Sequence, residues 1–406
     1  MTAAALAVEE GRLAEAERGF RAALEVAGED AAGQLRRATS LNNLGYVLHR
    51  RGRLAEAEEL YAQALALRRR QLGPEHPEVA QSLGNLAEVK RARGLVEEAE
   101  KLYLRAIEIR EKALGPEHPD LAQSLSGLAV LYAQTERGEE ARELFIRAAG
   151  MLAKALGEGD PRTLEARANL ASLEYSLGRL GEAEKLYREV LAAQEAAGEA
   201  DAPEAASTLV NLAEVLRSLG RSEEAVPLLE RALVIRRAGA SPEDPGVARV
   251  LNDLGVNLHA VGRTEEAAEM LAEAVALYDE TERPLIERLP AYLNLAAVLG
   301  SLGRREEARE VLERAATASE AANAVADGDI ARLWNDLGAI EYALGRYREA
   351  GRRLERAVAV AEAAYGRDDP RLIPYLRNYA TVLDALARGE EAREVTRRIE
   401  ELDGGS

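Results

Sequence analysis

Cysteine is absent from the 406 residues of this sequence, and aromatic residues are scarce: 13 tyrosines, two phenylalanines and one tryptophan. Without cysteine the chain has no disulfide, no thiol nucleophile and no thiolate metal ligand. The four histidines leave little for a histidine-based metal site. We therefore expect neither a metal nor a cofactor. No apolar stretch approaches the roughly 20 residues that a membrane-spanning helix needs.

Basic residues are outnumbered by acidic ones, 53 against 71, which gives a net charge of −18. Proteins that bind nucleic acids generally present a basic surface, so this balance argues against such a function. The N-terminal residues lack the basic segment of a secretory signal. We expect a cytoplasmic protein that binds neither nucleic acid nor membrane.

Catalytic motifs are missing as well. The sequence contains no Gly-Lys dipeptide of a phosphate-binding loop, no His-Glu-x-x-His and no Gly-x-Ser-x-Gly. These absences predict a protein that is not an enzyme.

The chain is built from a repeat. The phrase Gly-Arg-x-x-Glu-Ala recurs in variant forms at intervals of 41 or 42 residues, always with alanine at its last position. The ten alanines are Ala16, Ala57, Ala99, Ala141, Ala183, Ala225, Ala267, Ala308, Ala350 and Ala392. Regular spacing of this kind predicts one structural unit repeated along the chain.

Each repeat is predicted to contain two helices, because apolar residues recur at helical spacing on both sides of a short turn. The turn carries glycine in seven of nine repeats, and the turn residues are Gly52, Gly94, Glu136, Gly178, Gly220, Gly262, Gly303, Gly345 and Ala387. Several linkers place proline after a residue that can cap a helix. The predicted caps are His76, His118, Asp160, Asp244 and Asp369.

The first repeat resembles the tetratricopeptide repeat at Leu44, Gly45, Gly52, Ala57, Tyr61 and Ala64. The long period and the Leu-Gly-Pro-Glu-His-Pro linkers at 72–77 and 114–119 resemble the kinesin-light-chain type. This resemblance implies an all-α fold, a right-handed solenoid of antiparallel helix pairs. We expect a partial repeat at 1–28 with its second helix at 12–27, nine repeats in one continuous solenoid at 29–402, and a flexible tail at 403–406.

The resemblance also implies that a partner lies along the first helices, which line the concave face of such solenoids. A mostly polar residue stands nine positions before each turn, and we call these nine residues the ladder: Asn43, Asn85, Gly127, Asn169, Asn211, Asp253, Asn294, Asp336 and Asn378. An amide both donates and accepts hydrogen bonds, so it suits an extended peptide backbone. The alternative is that the ladder side chains bridge neighbouring helices within the stack.

Further candidate partner-binding residues flank the ladder: Tyr46, His49, Arg50, Glu88, Arg91, Tyr175, Glu214, Arg217, Arg249, Asn252, His259, Arg332, Asn335 and Tyr342. Together with other inward positions they include six arginines and six carboxylates. This balance predicts a neutral groove within an acidic exterior. Gly127 and nearby serines are expected to leave room for partner side chains.

The sequence therefore favours a non-catalytic scaffold that binds an extended peptide or a partner domain. One alternative is a sensory or assembly arm of a bacterial signalling system, acting in trans or as part of a longer protein. Another is a self-associating structural module, because the last helix would partly expose apolar residues, namely Ala392, Val395, Ile399 and Leu402. We expect a monomer, or weak self-association through the terminal repeats.

Overall fold

Helices dominate the computed structural model, which describes residues 3–9, 12–239, 245–281, 283–321 and 327–404. These residues form 20 α-helices and one short 3₁₀ helix, with no β-strand among them, so the predicted all-α fold is confirmed. The α-helices are α1 (Ala3–Glu9), α2 (Leu13–Glu25), α3 (Ala31–Arg50), α4 (Leu54–Leu72), α5 (Pro77–Ala92), α6 (Val96–Leu114), α7 (Pro119–Ala133), α8 (Gly138–Leu156), α9 (Pro161–Ser176), α10 (Leu180–Ala196), α11 (Pro203–Ser218), α12 (Ser222–Gly239), α13 (Pro245–Ala260), α14 (Thr264–Glu280), α15 (Leu285–Ser301), α16 (Arg305–Ala321), α17 (Gly328–Ala343), α18 (Tyr347–Tyr365), α19 (Ile373–Ala385) and α20 (Gly389–Gly404).

The chain divides into two compact units, Met1–Ala200 and Asp201–Ser406. In the first unit α1 packs on α2, and four helix pairs follow, from α3–α4 to α9–α10, each stacked on the next. The second unit contains five stacked pairs, from α11–α12 to α19–α20, with the 3₁₀ helix Pro370–Leu372 ahead of α19. One continuous solenoid through both units stays a prediction.

The turns inside the pairs adopt the left-handed backbone conformation that glycine favours. Their seven glycines have φ between 73° and 83°. Glu136 and Ala387 occupy the same turn position with φ of 58° and 59°. A side chain in this conformation costs about 1–2 kcal/mol relative to the right-handed form, so the packing of the two helices imposes the turn even where glycine is absent.

Four of the predicted helix caps are confirmed. The side chains of His76, His118, Asp160 and Asp369 each accept a hydrogen bond from the backbone N–H two residues further on, at 3.2, 3.1, 3.0 and 2.8 Å. Because the histidine Nδ1 atoms act as acceptors here, these histidines serve as caps. The fifth predicted cap, Asp244, lies outside the described residues.

Small residues recur in the core of each helix pair, and aromatic rings stand beside them in the first four. All ten strictly spaced alanines are at most 3% exposed. Tyr61, Tyr103, Phe145 and Tyr187, which share one repeat position, are only 2–3% exposed, and Trp334 is fully buried. The small side chains allow the helices to approach closely, and the aromatic rings fill the space beside them.

Three expectations about the ends of the described chain need correction. Helix α20 runs through Gly404, so residues 403 and 404 are helical and not part of a tail, and α2 spans Leu13–Glu25 instead of 12–27. An exposed apolar face on α20 is also wrong for Ala392 and Leu402, which are buried. Leu402 packs, together with Val395 and Ile399, into the core that α18 and α19 help to form.

No helix in the described part of the chain is long and apolar enough to cross a membrane.

Candidate partner-binding surface

The ladder residues all lie on first helices, and all nine are half-buried. First helices of successive repeats contact each other, α3 with α5 and α5 with α7 in the first unit. In the second unit α11, α13, α15, α17 and α19 contact each other in the same sequential way. Each unit therefore presents its ladder on a row of adjacent helices, with side chains that are neither in the core nor fully in solvent.

Three ladder asparagines bridge neighbouring first helices. Each donates from its side-chain Nδ2 to the Oδ1 of an asparagine in the preceding repeat. The pairs, donor first, are Asn85–Asn42 at 2.8 Å, Asn294–Asn252 at 2.9 Å and Asn378–Asn335 at 2.8 Å. For these three residues the structure shows the bridging role. Each bridge uses one of two amide N–H groups, so a further hydrogen bond remains chemically open to them.

The residue just before the ladder position decides where a bridge forms. It is asparagine in the first, sixth and eighth repeats, at Asn42, Asn252 and Asn335. In the other repeats it is Gly84, Ser126, Ala168, Val210, Leu293 or Arg377. Within the described residues, the side chains of Asn43, Asn169 and Asn211 make no hydrogen bond, so their amides are available to a ligand.

The two ladder aspartates, Asp253 and Asp336, sit in similar surroundings. Each accepts a hydrogen bond of 3.2 Å from the asparagine that precedes it. An arginine one helical turn earlier lies nearby, with Arg249 Nε 4.0 Å from Asp253 Oδ2 and Arg332 Nε 3.4 Å from Asp336 Oδ2. Burial raises the pKa of both carboxyls, and that of Asp253 reaches about 6.

The predicted balance of positive and negative charges arises mainly from arginine–carboxylate pairs whose two members lie on the same helix. Besides the two aspartate–arginine pairs, Arg91 Nε donates to Glu88 at 3.2 Å and Arg217 Nε donates to Glu214 at 3.0 Å. Tyr103 Oη also donates to Glu88, at 2.7 Å. Burial acts to raise the pKa of Glu88, but the hydrogen bonds from Arg91 and Tyr103 lower it overall.

The remaining predicted site residues are dispersed along the first helices. Tyr46 is 40% exposed and accepts a hydrogen bond of 3.1 Å from Arg50 Nη1. Tyr342 is 36% exposed, and its ring centroid lies 5.2 Å from that of Tyr347. His49 and Tyr175 are half-buried, and His259 is exposed. Among the described residues no group of three or more His, Asp or Glu is arranged to hold a metal ion.

The space expected at Gly127 is already filled. A Cβ atom added at this glycine would lie 2.5 Å from Cε1 of Tyr103. The expectation that Gly127 leaves room for a partner side chain is therefore wrong. Glycine stands where most repeats carry asparagine, and the ring of Tyr103 packs directly on its backbone.

Sequence reasoning missed two buried arginines and one buried asparagine. Arg68 and Arg110, at the same repeat position, are 3% and 4% exposed and donate to Ser82 Oγ at 2.9 Å and Ser124 Oγ at 2.7 Å. They connect a second helix to the next first helix, and burial lowers the pKa of both guanidinium groups. The asparagine, Asn257, is 1% exposed. The available signal was a comparison of the repeats position by position. Arg68 and Arg110 recur at one position, whereas Asn257 stands at a position that is apolar in the other repeats.

The repeated helix pairs correspond to a known family. Tetratricopeptide-repeat models match residues 36–94, 78–148, 122–196, 204–280 and 329–403, and a second model of the same repeat matches 289–321. The chain belongs to the tetratricopeptide repeat family. Proteins of this family are generally non-catalytic interaction scaffolds, and this chain is a protein-interaction scaffold.

Several solved structures resemble this chain, among them proteins with tetratricopeptide repeats. A kinesin light chain repeat protein from Podosopora anserina is 30% identical over 52% of this chain and 100% of its own, with a TM-score of 0.46. The apo form of RapI is 12% identical, covering 90% of this chain and 97% of its own, with a TM-score of 0.64.

A signal transduction ATPase with a tetratricopeptide repeat sensor from Pyrococcus horikoshii is 16% identical. Its match covers 93% of this chain and 53% of its own, with a TM-score of 0.63. The likenesses to RapI and to this ATPase concern the fold alone. No curated protein matches the sequence.

Proposed function

We propose that this chain is a non-catalytic scaffold that binds an extended peptide, or an extended segment of a partner domain, along its ladder. The observation that carries the proposal is the row of half-buried polar side chains on adjacent first helices. The amides of Asn43, Asn169 and Asn211 make no hydrogen bond within the described residues. An amide pairs with a backbone N–H and C=O equally well, so it binds an extended chain of many sequences.

The charges along this surface favour recognition of the peptide backbone over recognition of the net charge of the peptide. The carboxylates of Glu88, Glu214 and Asp336 each pair with an arginine of the same helix. Paired charges of opposite sign produce only a weak field at a distance. We therefore expect ladder amides to fix the path of the peptide, with individual side-chain pockets adding selectivity.

The test is a library of displayed random peptides selected on the wild-type protein, followed by affinity measurements on the selected peptides. The double variant Asn43→Ala/Asn169→Ala removes two amides of the first unit that make no internal hydrogen bond. We expect it to weaken binding by about tenfold or more, because each lost hydrogen bond contributes about 0.5–1.5 kcal/mol. Methylating single backbone nitrogens of the peptide should reproduce the loss at particular positions.

The matched control is Gln63→Ala, which removes an exposed amide from the second helix α4. It should leave peptide affinity unchanged, and circular dichroism should show that all variants keep their helix content. Unchanged affinity in the double variant, or an equal loss in the control, would contradict the proposal.

A further inference from the structure

A polar cavity of about 460 Å³ lies in the second unit, along the first helices of its repeats. Helices α11, α13 and α15 supply its polar lining, which consists of four asparagine amides, the carboxylates of Glu214 and Asp253, and the arginines Arg217 and Arg249. The cavity therefore belongs to the ladder surface, but it reaches a buried side chain that is not part of the ladder.

Asn257 is the unusual residue of this cavity. It is 1% exposed, and its Nδ2 donates to the backbone oxygen of Asp253 at 2.8 Å. Its Oδ1 has no hydrogen-bond partner among the described residues. The other eight repeats carry an apolar residue at this position: Val47, Val89, Leu131, Leu173, Val215, Val298, Ile340 and Val382. A buried acceptor without a donor opposes folding, so packing alone does not explain the asparagine.

Asp253 supplies a second acceptor one helical turn before Asn257, on the same face of α13. Its Oδ1 accepts from Asn252, whereas its nearest cationic atom on α13, Arg249 Nε, is 4.0 Å from Oδ2, beyond hydrogen-bond distance. The Arg249 side chain is 63% exposed, so it neutralises the aspartate only weakly. The raised pKa of Asp253, about 6 as a result of burial, is consistent with an incompletely neutralised carboxylate.

We propose that this cavity receives a cationic side chain, lysine or arginine, from the peptide bound along the ladder. This inference rests on the proposed function and assigns one side-chain preference to it. The cation donates to Asp253 Oδ2 and Asn257 Oδ1, which satisfies the buried acceptor and neutralises the carboxylate. An anion fits less well, because the Arg249 side chain is 63% exposed and Arg217 already donates to Glu214 at 3.0 Å.

The test uses small probes that have no extended chain to lie along the ladder. These are the N-acetyl, N-methylamide derivatives of lysine, arginine, norleucine and glutamate. With ¹⁵N-asparagine labelling, NMR follows the side-chain amide signals of Asn252, Asn257 and Asn294. We expect saturable shifts of these signals with the lysine or arginine probe and none with the other two.

Two variants test whether the NMR shifts arise from binding at Asp253 and Asn257, and a third variant serves as matched control. Asp253→Asn places at this ladder position the residue found in six other repeats, and Asn257→Val restores the apolar side chain of that position. Each should abolish the shifts of the remaining asparagine signals. Asp336→Asn changes the equivalent aspartate of the eighth repeat, where Ile340 replaces Asn257, and should leave the shifts unchanged.

Binding of the cationic probe should also weaken as the pH falls through about 6, because protonation removes the charge of Asp253. The other ionisable groups near this carboxyl are Arg249 on the same helix, Glu214 and Arg217 on α11, and Tyr278 on α14. In Asp253→Asn no residual pH-dependent shift should remain in this range.

Several outcomes would overturn the inference: no saturable shift with either cation, equal shifts with norleucine, a shift with glutamate, or full binding by Asp253→Asn. Failure of the two proposals can be distinguished. Library peptides that bind without any preference for lysine or arginine would support the ladder and reject the cation pocket. Shifts with the cationic probes, in a protein that selects no peptide, would support the pocket and reject the ladder.

Discussion

The sixth and eighth repeats share the pattern Arg-x-x-Asn-Asp on their first helices, at 249–253 and 332–336. In both, the asparagine accepts a hydrogen bond from the ladder amide of the following repeat, Asn294 or Asn378. They differ one turn later, where Asn257 in the sixth repeat corresponds to Ile340 in the eighth. The shared motif thus forms the same asparagine bridge in both repeats. Only in the sixth does the ladder aspartate have a second hydrogen-bond acceptor one turn away, because that position is asparagine there and isoleucine in the eighth.

The largest expected effect is the loss of stability when a core residue of either repeat is truncated to alanine. Trp334 is fully buried in the eighth repeat, and the guanidinium carbon of Arg356 lies 3.9 Å from its ring centroid. Leu251 holds the equivalent position in the sixth. Trp334→Ala should destabilise the protein by about 3–5 kcal/mol, and Leu251→Ala by about 2–5 kcal/mol. Urea denaturation followed by circular dichroism measures both, and a loss below about 1 kcal/mol at Trp334 would contradict its core role.

The next prediction compares the two aspartates. Burial raises the pKa of Asp253 from 3.8 to about 6, so the folded state binds its proton more tightly than the unfolded state. Its contribution to stability is favourable at low pH and declines as the pH rises from about 4 to 6, by about 3 kcal/mol in total. Asp253→Asn should therefore be more stable than wild type at pH 7, and the gain should shrink below pH 4. Denaturation curves across pH 3–8 test this.

Asp336→Asn serves as the comparison for that experiment. Arg332 approaches Asp336 more closely than Arg249 approaches Asp253, at 3.4 Å against 4.0 Å. We expect a gain of the same sign but smaller size in the eighth repeat. Equal gains in the two variants would show that the arginine distance is unimportant.

Exchanging the distinguishing residues should have a smaller effect. Asn257→Val removes a buried acceptor without a partner and should stabilise the protein by about 1–3 kcal/mol. The reverse change, Ile340→Asn, introduces an amide into the corresponding part of the eighth repeat and should destabilise it. Thermal denaturation of both variants provides the measurement, and a lower midpoint for Asn257→Val would show that Oδ1 already has a partner in solution.

The smallest effects are expected where the two repeats are alike. Asn294→Ala and Asn378→Ala each remove one amide bridge and should cost about 0.5–1.5 kcal/mol. Because the bridge lengths are 2.9 and 2.8 Å, the two losses should agree closely. A marked difference, measured by denaturant unfolding, would mean that the bridges are not equivalent.

The repeated fold could be predicted because its determinants lie at fixed spacing within the sequence. The strict alanines and the turn positions located all nine helix pairs, and the turns kept their conformation at Glu136 and Ala387 without glycine. The exposure of the last helix was not predictable in the same way. Whether Leu402 is covered depends on how α20 sits against α18 and α19, which periodicity alone does not determine.

The candidate site could be predicted only in part. Counting from the turns correctly located a polar row, but two neighbouring residues then decide what each ladder position does. Asn42 makes Asn85 a bridge, and Tyr103 occupies the space above Gly127. Asn257 escaped prediction because it lies on the buried face of α13, where an amide among apolar equivalents is visible only when every repeat is compared at that position.

The amide bridges have a consequence for the elasticity of the second unit. Bridges connect the sixth repeat to the seventh and the eighth to the ninth. Between the seventh and eighth, Leu293 stands where an accepting asparagine would be needed, so this ladder bridge cannot form. Contacts between neighbouring first helices with a bridge therefore alternate with contacts without one. If a force pulls the first helices apart, we expect α15 to separate from α17 before α13 separates from α15.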